Sequence, residues 1–152
     1  MFRHFGAMFA LLIALGSFPA HAQQRATAQE AVALVKKAAA HIQKVGLDAA
    51  LKDFNNNKGQ FVDRDLYIVV LDMSGRNLAH GANARIVGKD LIDFKDADGK
   101  LFIKEELQLA KTNGSGWVDF KFVNPTNQKI EKKAQYLERV GEVVVMSGIY
   151  KE

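Results

Sequence analysis

Trp117, Asp119 and Lys121 stand at alternate positions of one β-forming stretch, so in a strand all three project from the same face. An indole wall beside a lysine counter-charge is one way to hold a small organic anion. The same aspartate and lysine also read as a solvated strand face. His80 ends a short β-run and opens a long loop, where an imidazole can donate to a carboxylate and make binding pH dependent through its own protonation. Arg85, in that loop, can fork two hydrogen bonds to a carboxylate, although a loop arginine is more commonly solvent-facing. Tyr67 and Tyr150 can bring hydroxyls to such a site or simply pack in a core. Together these residues have the chemistry of a ligand pocket, in which a few polar groups converge among apolar walls and charge-assisted bonds act away from bulk water.

No catalytic constellation accompanies them. Ser74, Ser115 and Ser147 lack a G-x-S-x-G context, and there is neither an H-E-x-x-H pair nor a glycine-rich phosphate cradle. The sequence contains no cysteine, which removes thiol catalysis, disulfides and soft-metal sites. Asp96-Ala97-Asp98-Gly99 begins like a calcium loop but lacks the rest of the ligand pattern, so neither a metal nor a cofactor is expected. Asp72 reads as a cap for its own turn and His41 as a boundary residue of a helix. Lys and Arg number 21 against 17 Asp and Glu, but no basic block carries interleaved aromatics, so nucleic acid is not an expected partner. An exported hydrolase is the enzymatic alternative, and it would depend on His80.

The elements that must position these groups follow from pattern. Arg3 and His4 precede an apolar run from Phe5 to Leu15, Gly16 and Pro19 break it, and Ala20-His21-Ala22 offers small residues at a cleavage site. Residues 1–22 therefore read as a signal peptide, placing residues 23–152 in the periplasm or outside the cell, with an uncleaved N-terminal anchor as the alternative. Thr27-Ala28-Gln29-Glu30 has capping-box spacing, and Val32, Val35, Ala39, Ile42 and Val45 then recur at helical period up to Gly46. A shorter helical turn, Leu47 to Phe54, follows.

From Tyr67 the period changes. Tyr67 to Leu71 is apolar on both faces and predicts an interior strand; a turn at Asp72–Asn77 returns the chain as Leu78-Ala79-His80. Residues 81–100 form a long structured loop of the kind that carries function, and a helix is predicted over Leu101–Lys111. Three antiparallel strands close the chain: Trp117–Val123, Ile130–Val140 and Val143–Tyr150. The order predicts one α+β domain with a five-stranded antiparallel sheet, the long N-terminal helix on one face and the crossover on the other.

Read together, Asp72 to His80, Gly88-Lys89-Asp90-Leu91, Gly116 to Phe120, Asn124-Pro125, Lys133-Ala134-Gln135-Tyr136 and Ser147-Gly148-Ile149-Tyr150 resemble the successive landmarks of single Cache domains of type 2. The resemblance implies a PAS-like fold outside the cytoplasmic membrane that binds a small organic ligand, commonly a carboxylate or amino-acid-like metabolite, in signal transduction and chemotaxis. It adds Lys133 and Tyr136 to the candidates, although three positions apart on a regular strand they face opposite ways. Family members usually sit on chemoreceptors or sensor kinases. No output segment follows Tyr150 here, so the expectation is a sensor module working with a separate membrane receptor or kinase. The competing expectation is an interaction subunit whose pocket is filled by its own side chains.

Overall fold

In the computed structural model residues 24–151 are described; the leader expected over residues 1–22 lies outside them. Helix α1 (Ala28–Val45) begins as its sequence predicts. Thr27 accepts from the Glu30 backbone and the Glu30 side chain bonds back to the Thr27 backbone, a complete capping box. Its buried residues, Ala31, Val35 and Ala38, are small, which lets the helix approach the sheet closely. Gly46 ends α1 and starts α2 (Leu47–Phe54) at φ 84°, ψ 159°, a positive-φ extended kink that favours glycine.

The Tyr67–Leu71 run divides in two. Leu66–Tyr67 (β2) pairs with Val62–Asp63 (β1) in a short ribbon that the sequence did not announce, and Val69–Asp72 (β3) enters the main sheet. With Asn77–His80 (β4), Ser115–Val123 (β5), Ile130–Val140 (β6) and Val143–Lys151 (β7), the sheet order is β4-β3-β7-β6-β5, antiparallel throughout. Helix α3 (Phe102–Asn113) precedes β5, and Gly114, in the left-handed region, is all the turn that is needed; Ser115 and Gly116 already belong to the strand, which starts two residues ahead of the Trp117 predicted from sequence.

Alternation along the strands makes two cores. Ile68, Val70, Val143 and Val145 pack under α1 and α2, whereas Val69, Leu71, Leu137, Val144 and Met146 face α3 and the 81–100 crossover. Both sheet edges are occupied by that crossover. Asn77 N–H donates to the Lys89 carbonyl beside β4, and Lys121 N–H donates to the Asp96 carboxylate beside β5. The crossover is thereby fixed at two points on opposite edges and arches over the second face of the sheet. A short 3₁₀ turn, Ala84–Ile86, gives it its only helical segment among the described residues.

Candidate functional site

Under that arch lies a cavity of about 380 Å³. Its walls are largely apolar, among them Val69, Leu71, Ile86, Phe102, Phe120 and Phe122. Phe102 stacks on Phe120 with ring centroids 4.0 Å apart and planes within 6°, which ties α3 to β5 along one side. Into this space the sheet brings Lys133 and Gln135 from β6 and Asn77 and His80 from β4.

Lys133 is a cation almost withdrawn from water, 2% exposed. Its Nζ lies 4.3 Å from the centre of the Tyr67 ring and 5.1 to 5.9 Å from those of Tyr150, Phe122 and Phe120. Such faces stabilise an ammonium through their quadrupoles. Nζ also donates to the Tyr67 hydroxyl at 2.8 Å. Tyr150 spends its one proton on the Val123 carbonyl, so it must accept from Tyr67, and the chain runs Lys133 to Tyr67 to Tyr150 to Val123. Burial and the neighbouring Tyr67 push the Tyr150 hydroxyl well above the usual phenol range, so Tyr150 keeps the proton it gives to the Val123 carbonyl. None of the ion pairs among the described residues includes Lys133. A buried ammonium without a counter-ion, two of its three protons unassigned, is an acceptor-seeking group.

Gly148 pairs with Gln135 across β6 and β7, and a Cβ there would stand 2.5 Å from the Ala134 carbonyl oxygen, 2.8 Å from Gln135 Cα and 2.9 Å from Lys133 Cε. The β6 backbone therefore excludes a side chain at this position, and the lysine stem passes over the bare glycine.

His80 has its ring 4.9 Å from that of Tyr67. Its Nδ1 accepts from the backbone N–H groups of Asn83 at 2.9 Å and Ala82 at 3.2 Å, so the neutral ring carries its proton on Nε2. Burial, and after it the Lys133 charge, hold its pKa at about 3. This corrects the expectation that His80 titrates into a cation near neutral pH; it serves as a neutral donor. The unfolded chain takes up this proton near the ordinary value of 6.5, whereas the folded chain resists until about 3, so the stability contributed is complete above 6.5 and lost as pH falls. Between pH 7 and 5 the wild type should therefore lose about 2 kcal/mol more than His80→Gln in urea titrations. Parallel losses in the two proteins would contradict a neutral buried imidazole.

The third polar feature was not anticipated. A register shift between Val70 and Leu71 leaves Leu78 unpaired, so Asn77 opposite Leu71 and His80 opposite Val69 share the cavity face despite an odd separation. Asn77 is fully buried, and neither its Nδ2 nor its Oδ1 has a partner. Gln135 donates through Nε2 to Glu106 Oε1 at 2.9 Å, while its own Oε1 and Glu106 Oε2 have none. Burial raises the Glu106 carboxyl to about 8 against the opposing pull of Lys133 and Gln135, so it is mostly protonated at neutral pH. The site then holds one net positive charge.

Of the eight residues singled out from sequence, the structure brings three together: His80 and Lys133 line the cavity, and Tyr67 bonds or packs against both. The other five lie elsewhere. Phe120 and Phe122 point into the cavity, so Trp117, Asp119 and Lys121, alternating with them, point away. Trp117 instead packs on Tyr136 on the opposite face, 5.3 Å between ring centroids, which resolves the Lys133–Tyr136 conflict in favour of a regular strand. Asp119 pairs with Lys151 and Lys121 with Asp98. Arg85 is exposed on the 3₁₀ turn, outside the cavity lining, while its neighbours Asn83 and Ile86 are in it. The incomplete calcium-like loop has another use: Asp96 accepts from the backbone of Asp98, Lys100 and Lys121, pinning the crossover to β5.

Comparison with known proteins gives consistent likenesses. A family model described as Single Cache domain 2 matches residues 19–152. The chain is 26% identical over 90 residues to the methyl-accepting chemotaxis protein McpP of Pseudomonas putida, an alignment covering 58% of this chain and only 16% of that protein. Among solved structures, a methyl-accepting chemotaxis protein from Vibrio parahaemolyticus superposes with TM-score 0.70 at 23% identity, over 80% of this chain and 86% of that one. A periplasmic sensor domain of a chemotaxis protein gives 0.65 at 26% identity, covering 82% and 90%. A Cache chemosensory domain described for carboxylic acid recognition gives 0.70 at 21%, covering 82% and 92%. Among the described residues, no helix is long and apolar enough to cross a membrane.

Proposed function

This chain belongs to the single Cache domain 2 family of extracytoplasmic sensor domains, and from that premise we propose that its cavity binds a short monocarboxylate whose arrival is the sensed event. One observation carries the proposal: the buried Lys133 ammonium is caged by four aromatic rings and forms no ion pair among the described residues, while the Glu106 carboxyl that feels its charge is mostly protonated. A ligand carboxylate supplies the missing counter-charge. Lys133 gives it two free protons and His80 gives the Nε2–H, bonds that are strong because the walls exclude water. The carboxylic acid recognition described for one structural relative accords with this chemistry. The cavity volume suits a few carbons beyond the carboxylate, and one positive charge favours one negative charge.

Sensing follows from which segment closes the cavity. Asn83, Ile86, Leu91 and Phe94 all come from the crossover. A ligand held by the sheet and touched by these residues orders the crossover, and a membrane receptor or sensor kinase is the partner that reads the change.

Thermal denaturation of the purified protein with acetate, propionate and butyrate, each against its uncharged methyl ester, tests the proposal. Binding to the native state alone stabilises by mass action, so at about a hundred times Kd an acid should raise Tm on the order of 5–10 °C. The esters should do nothing. A flat response to all three acids, or an equal response to acid and ester, would remove the carboxylate assignment.

A further inference from the structure

We propose that Asn77 makes this cavity selective for a hydroxylated monocarboxylate over the plain alkanoate of the same length. The proposal rests on the carboxylate reading above and adds what the rest of the ligand must be. Its basis is a mismatch between burial and bonding. Asn77 lines the cavity, has no exposed surface, and leaves both its amide donor and its amide acceptor without a partner. Buried amides are almost always bonded, because an orphaned group forfeits its hydration without return. A second orphan acceptor, Gln135 Oε1, lines the same cavity.

The position of Asn77 is not an accident of packing that an apolar residue would have served less well. The bulge at Leu78 turns Asn77 into the cavity, and the crossover then holds its backbone through Asn77 N–H to the Lys89 carbonyl and Gly88 N–H to the Asn77 carbonyl. With both backbone groups engaged and the strand irregular at this point, the side chain lines the cavity and its amide finds no hydrogen-bond partner among the described residues.

The chemistry of the missing partner follows from what remains unsatisfied. An alkyl end leaves Nδ2 and Oδ1 of Asn77 both unmet. A second carboxylate offers only acceptors, meets Nδ2, repels Oδ1 and Gln135 Oε1, and brings a second negative charge to a site with one lysine. An ammonium offers only donors and leaves Nδ2 unmet. A hydroxyl both donates and accepts, so a single group answers both atoms of Asn77. Lys133 and His80 hold the carboxylate at the tyrosine end, and Asn77 reads the hydroxyl elsewhere on the chain.

Calorimetric titration of the wild type with butyrate, 2-hydroxybutyrate, 3-hydroxybutyrate, 4-hydroxybutyrate and 2-aminobutyrate decides the matter. At least one hydroxy acid should bind roughly tenfold or more tighter than butyrate, since a site built around a hydroxyl discriminates against the analogue lacking it. In Asn77→Leu that advantage should disappear while butyrate affinity stays the same or improves. The ligand-free variant should melt no lower than the wild type, because an apolar residue of similar size replaces an unpartnered amide. Asn77→Ser, which keeps a hydroxyl in the cavity, should retain part of the preference and supplies the comparison if the leucine variant does not fold. Butyrate binding as tightly as every hydroxy isomer overturns the proposal, as does a hydroxyl preference that survives in both variants or a tighter grip on the amino acid. If none of the acids binds at all, the carboxylate reading falls as well, so the two failures are told apart by butyrate itself.

Discussion

Lys133→Met is expected to abolish carboxylate binding while leaving the ligand-free protein as stable as the wild type, or more so. The two halves of this result have one cause. Lys133 is buried among Tyr67, Tyr150, Phe122 and Phe120, with one hydrogen bond to a tyrosine and no ion pair. A buried charge that lacks a counter-ion is an expense to the folded state, and an apolar side chain of similar length fills the same path without it. The ligand is the element that repays the lysine. Losing one member of a buried charge pair costs about 2–5 kcal/mol of binding, so butyrate affinity should fall by about thirtyfold to several thousandfold. Isothermal calorimetry reads the first half and urea denaturation the second. Retained affinity would show that the anion sits elsewhere. A variant destabilised by several kcal/mol would show that Lys133 is a structural residue, and the sensing proposal would lose its principal support.

That opposition between function and stability bears on what could be read from the sequence. The order of elements was legible because it depends on local chemistry: the Thr27–Glu30 capping box, the alternation of Val118, Phe120 and Phe122, and the turn residues at Asp72–Asn77 all act within a few positions. The face on which the pocket lies depends on the whole sheet. Trp117, Asp119 and Lys121 are the more conspicuous half of their strand, yet the phenylalanines beside them line the cavity, since a cavity inside a domain is walled by its apolar alternates. A shift of one residue exchanges the two sets, and attention to polar chemistry alone selects the outer one.

Two of the missed residues left a signal. In α3 the buried residues are Phe102, Ile103, Glu106, Leu107 and Ala110, so Glu106 falls inside the apolar stripe at helical spacing from Phe102 and Ile103. A carboxylate at a core position of an otherwise regular stripe could have been flagged. Gln135 lies two positions from Lys133 and from Leu137 on the same strand face, and identifying Lys133 as inward-facing identifies Gln135 with it. Asn77 left no such mark. Its orientation depends on the Leu78 bulge, and strict alternation from His80 puts it on the opposite face. Bulges arise from the register that two neighbouring strands negotiate, so pattern within one strand does not reveal them.

Glu106→Gln should abolish a loss of stability that the wild type suffers as pH rises from about 4.5 to about 8. The Glu106 carboxyl ionises near 4.5 in the unfolded chain but is held to about 8 by burial in the fold. Across that window the folded state carries a proton that the unfolded state has released, so wild-type stability declines as pH rises, the reverse of the sign for a salt-bridged carboxylate. From pH 5 to 8 the difference between wild type and Glu106→Gln should grow by on the order of 3 kcal/mol in favour of the variant. Denaturant titrations at matched pH isolate this, because other groups cancel. The same carboxyl is coupled to the ligand through Lys133, whose charge opposes the rise in its pKa. A bound monocarboxylate neutralises that charge, so Glu106 holds its proton still more tightly and binding at pH 8 takes up part of a proton. By linkage, affinity weakens once Glu106 ionises, because the new anion competes for Lys133. His80 contributes nothing to this limb, being neutral on both sides of it. Titrations in two buffers of different ionisation enthalpy at pH 8 should show uptake for the wild type and none for Glu106→Gln. Equal uptake by both proteins would assign the proton elsewhere, and proton release would mean that the ligand does not lie beside Lys133.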